Sequence, residues 1–255
     1  MITVTFLGTG TSHGVPVIGC HCPVCLSSDP HDKRWRSSVL IEKDGTSVVV
    51  DTGYEFRLQA LRAGVDRLDA VLYTHSHSDH LMGLDDLRVF TSNEKLKVYG
   101  LESTLESIER IFSYAFSPLV YKGVPRLEPV VVEERVSFTV GNLTFTPIPL
   151  LHGKMRIAGY RFGKAAYFTD VSDILWDENK EALEGIKTLI VGGLREKPHW
   201  SHFTFEQAAR AGEQIGAEEI WFTHISHETS DQEIRMKYGA RALPAHDMLR
   251  LEVEE

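Results

Sequence analysis

The densest run of metal-binding chemistry in the chain is Thr74-His75-Ser76-His77-Ser78-Asp79-His80-Leu81-Met82-Gly83. Four potential ligands, His75, His77, Asp79 and His80, fall within six residues. In an extended loop His75 and His77 point to the same side. Asp79 and His80 then enter the start of a helix and face the same cavity from another angle. Two ligand sets of this kind suit a pair of divalent ions about 3.5–4 Å apart. A merely polar loop would need neither the aspartate beside the helix nor partners further down the chain.

Such partners are present. His152 stands in Pro149-Leu150-Leu151-His152-Gly153, Asp170 closes Tyr167-Phe168-Thr169-Asp170, and His224 closes Trp221-Phe222-Thr223-His224. Each follows a strand-like run, and reacting groups are commonly mounted at strand ends on a rigid scaffold. A second cluster lies in Gly19-Cys20-His21-Cys22-Pro23-Val24-Cys25, which holds all three cysteines. An odd, tightly spaced set is a poor disulfide framework and a good metal site. A closed zinc site needs a fourth ligand. His227 is the choice, three residues past His224, where it would tether this loop beside the first cluster; His21, adjacent to two ligands, is sterically awkward. His13, His31, His199 and His246 lack a comparable context and are expected at the surface or in local hydrogen bonds.

The elements that must position these groups follow from periodicity. Strand-like runs fall near Ile2–Leu7, Val39–Ile41, Ser47–Val50, Ala70–Tyr73, Lys97–Tyr99, Val136–Val140, Leu143–Ile148, Ala158–Phe162, Ala165–Phe168, Thr188–Val191 and Ile220–Phe222. Turn signals at Lys43-Asp44-Gly45, Gly141-Asn142 and Gly163-Lys164 predict hairpins. Helical spacing occurs at Phe56–Ala63, Leu84–Phe90, Thr104–Phe112, Phe205–Ile215 and Asp231–Tyr238, with Thr204 and Gln207 placed as a capping box. Strand clusters separated by helices in both halves predict an α+β fold of two sheets with helices outside. No linker, repeat or low-complexity tract divides residues 1–255.

Hydrophobic residues make up 42% and the formal charge is −9, so the chain is globular and lacks the basic footprint that non-specific nucleic-acid binding requires. Lys33, Arg34 and Arg36 are the local basic patch. A small anionic substrate is compatible with this balance, because bound metal ions would dominate the local field. Neither a signal peptide nor an apolar run near the ~20 residues of a membrane span is visible, and a cytoplasmic protein without a membrane partner is expected.

His-x-His-x-Asp-His-x-x-Gly, followed by isolated His, Asp and His after successive strands, resembles the metallo-β-lactamase superfamily. Leu7-Gly8-Thr9-Gly10-Thr11-Ser12 with Gly14-Val15-Pro16 resembles its phosphodiesterase and tRNA-processing branch. The resemblance implies a four-layer αββα sandwich as a single domain, with a structural-zinc loop at about 19–26. It implies that His75, His77 and His152 hold one zinc or manganese ion, that Asp79, His80 and His224 hold a second, that Asp170 bridges them, and that Asp51 supports the histidines from behind.

The Cys-x-Cys-x-x-Cys loop and the late Thr-His-Ile-Ser-His narrow the resemblance to the phosphoribosyl 1,2-cyclic phosphate phosphodiesterases. That implies a structural zinc on Cys20, Cys22, Cys25 and His227, and hydrolysis of a small cyclic phosphate ester by hydroxide activated between two ions. His202, in Ser201-His202-Phe203, stands where that family carries a catalytic histidine. Its loop position suits a general acid, the alternative being a phosphate-binding role. Asp170 would orient the nucleophile, with Asp79 completing the catalytic set. Gly192-Gly193 depart from the polar segment expected before His202. The rival readings are a tRNA 3′ endonuclease, for which no basic arm is found, a thioester or lactam hydrolase, and a non-catalytic zinc module. RNA is not expected as a partner, and a homodimer is left open.

Overall fold

The computed structural model describes residues 1–91, 94–116 and 123–255. The first half runs β1 (Ile2–Gly8), α1 (Pro23–Leu26), β2 (Ser38–Lys43), β3 (Thr46–Val50), α2 (Phe56–Ala63), β4 (Ala70–Leu72), α3 (Ser78–Leu81), β5 (Leu96–Gly100), α4 (Glu102–Ile111), α5 (Ser113–Phe116) and β6 (Leu127–Val131). The second runs β7 (Phe138–Val140), β8 (Leu143–His152), β9 (Met155–Phe162), β10 (Ala165–Phe168), α6 (Trp176–Leu183), β11 (Thr188–Gly192), α7 (Phe205–Ile215), β12 (Glu219–Thr223), α8 (Asp231–Tyr238), β13 (Leu243–Pro244) and β14 (Arg250–Val253).

Two seven-stranded sheets result, ordered β14-β1-β2-β3-β4-β5-β6 and β13-β12-β11-β10-β9-β8-β7. Each is antiparallel on one side and parallel on the other: β3, β4, β5 and β6 run parallel in the first, and β10, β11, β12 and β13 in the second. Consecutive side chains of a strand face opposite sides of its sheet. In β3, Val48 and Val50 therefore enter the core between the sheets, while Val49 packs outward with Phe56 of α2 and Val71 of β4. Both faces are buried, so these strands read as continuous apolar runs. The second sheet repeats the scheme: Tyr167 and Ile190 face the intersheet core, and Phe168, Leu189 and Phe222 face α6, α7 and α8. The layers are α, β, β, α.

The hairpins form at the three expected turns, with Asp44 and Gly45, Gly141 and Gly163 all at positive φ. Thr204 and Gln207 form the capping box of α7. Leu84–Phe90 is helical but of the tighter 3₁₀ kind. The sequence pattern did not reveal β6, β13, β14, α6 or the single-turn helices α1 and α5. Among the described residues no helix is long and apolar enough to cross a membrane.

Candidate metal centre

The C-terminal ends of the parallel strands meet at one edge of the sandwich, where crevices in open α/β sheets form. β4 leads into the His75–His80 segment, with α3 beginning at Ser78 as expected. β8 ends on His152, β10 is followed by Asp170, and β12 by His224. Asp51, Asp170 and His224 each adopt a left-handed backbone, at φ of 64°, 53° and 56°. Such strain in non-glycine residues tends to gather at functional sites, and Asp and His tolerate it better than bulky residues. Gly53 and Gly83 allow close packing here, since a Cβ on Gly53 would run into the Asp79 carbonyl and one on Gly83 into the Gly53 carbonyl.

Two groups of ligand atoms converge, each within 4.8 Å: His75, His77 and His152, and Asp79, His80, Asp170 and His224. His80 Nε2 lies 3.1 Å from Asp79 Oδ2 and 3.2 Å from Asp170 Oδ2; His224 Nε2 lies 3.1 Å from Asp170 Oδ1. Yet Nε2 of His75, His80 and His224 are buried without a hydrogen-bond partner among the described residues. Buried polar nitrogens are rarely left unsatisfied. The bare nitrogens of His80 and His224 beside two buried carboxylates, with that of His75 in the adjoining histidine group, fit divalent cations, and the donor set suits zinc, manganese or iron.

Three of the ring nitrogens facing away from the cavity are held. His80 Nδ1 donates to Asp51 Oδ2 at 2.7 Å. Thr74 donates to Asp51 through its N–H (2.9 Å) and hydroxyl (2.8 Å), and that hydroxyl accepts from His75 Nδ1 at 3.0 Å. One fully buried carboxylate thus orients a histidine of each group, the carboxylate–histidine arrangement that fixes metal ligands. His152 Nδ1 donates to the Ser201 carbonyl at 2.8 Å. Burial opposes a charged His80, but Asp79, Asp170 and Asp51 push its imidazole well above the ordinary histidine value. For Asp170 burial is likewise outweighed, by His224 and His80, and its carboxyl is held well below the usual range.

His202 faces the same space, its Nδ1 3.8 Å from Asp170 Oδ1 and its ring stacked on His224 at 4.9 Å. Burial, with the His224 ring beside it, pushes it down to about 3, while the Asp170 carboxylate pulls the other way. His199 had no distinguishing context in the sequence, yet its ring lies 5.0 Å from that of His202 and its Nδ1 accepts from Ser201 N–H at 3.3 Å. The His-x-x-His spacing of 199 and 202 was the available signal. The Gly192-Gly193 departure has a packing reason: a Cβ on Gly192 would stand 3.1 Å from Asp170 N, and one on Gly193 2.9 Å from the Phe205 ring.

The cysteine cluster also assembles. Sγ of Cys20, Cys22 and Cys25 lie 3.4, 3.3 and 3.5 Å from His227 Nδ1. Tetrahedral bonds of about 2.3 Å to sulfur and 2.0 Å to nitrogen would separate sulfur from nitrogen by about 3.5 Å, so the set has the dimensions of a closed Cys₃His zinc site. His21 is exposed and outside it. Burial works against a Cys22 thiolate, but the Cys25 N–H and His227 bring it down to about 6; burial raises Cys25 to about 11.

Residues 46–225 match the model of the Beta-lactamase superfamily domain. The chain belongs to the metallo-β-lactamase superfamily. A crystal structure of a new diphosphatase from the PhnP family superimposes with a TM-score of 0.92 at 41% identity, covering 100% of this chain and 98% of that one. The octanoyltransferase of Porphyromonas gingivalis is 46% identical over 223 residues, 87% of this chain and 45% of that protein. Ribonuclease Z of Bradyrhizobium diazoefficiens is 26% identical over 172 residues, 65% of this chain and 51% of that protein. The chain spans about half the length of these two curated relatives. The comparisons thus show the superfamily domain, and a neighbour aligned along the whole chain is a diphosphatase.

Proposed function

We propose that this chain hydrolyses a small phosphodiester, a cyclic phosphate ester first among them, with two divalent ions at the His/Asp centre. The observation carrying this reading is the pair of adjoining ligand groups with bare nitrogens facing buried carboxylates. The resemblance to a diphosphatase along the whole chain supports phosphorus–oxygen chemistry.

His75, His77 and His152 would hold one ion, and Asp79, His80 and His224 the other, with Asp170 between them. The ions, when bound, supply Lewis acidity, lowering the pKa of water toward about 7 and offsetting phosphoryl charge. Asp170 orients the attacking water. Asp51, through His80 and Thr74, keeps the ligand rings aimed. His202, outside the two ligand sets, would donate to the departing oxygen in its protonated form, which Asp170 and the charge of a bound phosphoryl group favour. Trp200, 78% exposed and laid over Gly153 beside His152, gives the non-reacting part of the substrate an apolar face. The cysteine cluster holds a structural zinc, residues 1–255 form one domain, and the work is cytoplasmic, without a membrane or RNA partner.

The octanoyltransferase favours one second reading, hydrolysis of an acyl ester or thioester at the same centre, although more than half of that protein lies outside the match. A manganese- or zinc-loaded chain should be offered bis-p-nitrophenyl phosphate, a 2′,3′-cyclic nucleotide, a ribose cyclic phosphate, a precursor tRNA and an octanoyl thioester. Preferred turnover of the small cyclic phosphates is expected. Turnover of the thioester alone would transfer the function to acyl chemistry.

A further inference from the structure

Four histidines of the centre are buried, and three have the nitrogen opposite the cavity tied down: His75 by Thr74, His80 by Asp51 and His152 by the Ser201 carbonyl. His224 does not. Among the described residues both its ring nitrogens are buried without a hydrogen-bond partner. Its ring is stacked on His202 but lacks the hydrogen-bonded outer partner that normally fixes a ligand's orientation.

Its backbone is held instead. Ile225 N–H donates to Thr9 O at 2.9 Å, Thr11 N–H to Ile225 O at 3.2 Å, and Ser226 N–H to Leu194 O at 3.0 Å. One residue beyond this clamp stands His227, ringed by the three cysteine sulfurs. The loop that supplies Thr9 and Thr11 continues directly into those cysteines, and its base is pinned where Val15 and Arg34 exchange N–H to carbonyl bonds, both of 2.8 Å. Segment 224–227 and loop 9–25 are therefore joined twice, by backbone pairing beside His224 and by the sulfurs at His227.

We propose that the cysteine cluster, when it holds its ion, positions His224 and so tunes the hydrolytic centre, in addition to stabilising the fold. This rests on reading the two clusters as metal sites. Cys20, Cys22, Cys25 and His227 are positioning residues: they touch neither substrate nor the reacting ions and act through the 224–227 backbone. Without the fourfold anchor the segment loosens, and His224, lacking a side-chain tether, swings from the cavity.

The test compares the parent chain with Cys22→Ser and with Leu105→Ala, a core change on α4 that lowers stability elsewhere. Manganese dissociation constants at the His/Asp centre are measured by titration calorimetry and electron paramagnetic resonance, alongside kcat and KM, at a temperature where every variant is folded. Cys22→Ser is expected to weaken manganese binding about 10–100-fold, the range typical of lost outer-shell support, and to lower kcat with little change in KM. Leu105→Ala should change neither. If Cys22→Ser does not fold, Cys20→Ser, likewise half-buried, is read the same way and should show a loss in the same direction. Manganese affinity equal to the parent's in a folded variant that has lost the third ion overturns the proposal alone. A parent chain that takes up no metal at the His/Asp centre overturns the proposed function as well.

Discussion

The His/Asp centre gathers its ligands from the ends of β4, β8, β10 and β12, across both sheets, whereas the cysteine cluster takes three of its four from one loop of six residues. The first is therefore a product of the whole sandwich: it cannot form until two separately paired sheets have packed face to face. The second is nearly local, and needs only His227 to arrive. The difference extends to their surroundings. Around the centre, strained backbone at Asp51, Asp170 and His224 and unsatisfied nitrogens store a readiness to bind. Around the cysteines, every sulfur faces one nitrogen in a closed set with no position left for substrate. An open site is suited to chemistry and a closed one to holding structure.

Substitutions separate the two. Asp79→Ala or His80→Ala should abolish turnover, by more than the ~10–100-fold that an outer-shell partner costs, while circular dichroism and thermal midpoint remain near the parent's. Asp51→Asn should fall in that outer-shell range and weaken both ions together, because Asp51 reaches His80 directly and His75 through Thr74. Retention of one ion at full affinity would show that the shared carboxylate does not couple the groups. Cys22→Ser should remove one ion per chain and destabilise by about 4–5 kcal/mol, as loss of a structural metal does, or about 10–20 °C at this chain length.

His202→Ala should slow an alkyl phosphodiester by about 10²–10⁴-fold and a p-nitrophenyl ester far less, since the latter departs unaided. Equal losses would make His202 a phosphate-binding group. Thr204→Ala, which removes only the cap of α7, should cost about 1 kcal/mol and leave metal content and rate untouched.

The contrast between local and assembled structure also explains what the sequence disclosed. His75, His77, Asp79 and His80 were legible because their spacing is compressed into one strand–loop–helix junction, and the downstream ligands because each ends an apolar run. The α2, α7 and α8 boundaries followed from apolar spacing, with the Thr204–Gln207 capping box marking the start of α7. By contrast, β6 contains Pro129 and lies at a sheet edge, where proline is tolerated but masks the strand pattern. The helix α6 starts after Leu175 in a left-handed conformation and is mostly polar, so spacing gave little signal. β14 alternates correctly, but its partner β1 lies at the other end of the chain. His199 needed the fold to bring its ring beside His202.

Two ions acting together on a phosphodiester would leave a signature in metal uptake. Metal-stripped chain, preincubated with one equivalent of zinc, is titrated with manganese while hydrolysis of bis-p-nitrophenyl phosphate and bound metal are followed. The rate should stay low through the first equivalent of manganese and rise to its plateau as the second binds. Full activity with a single ion bound, or none with both, would contradict joint action.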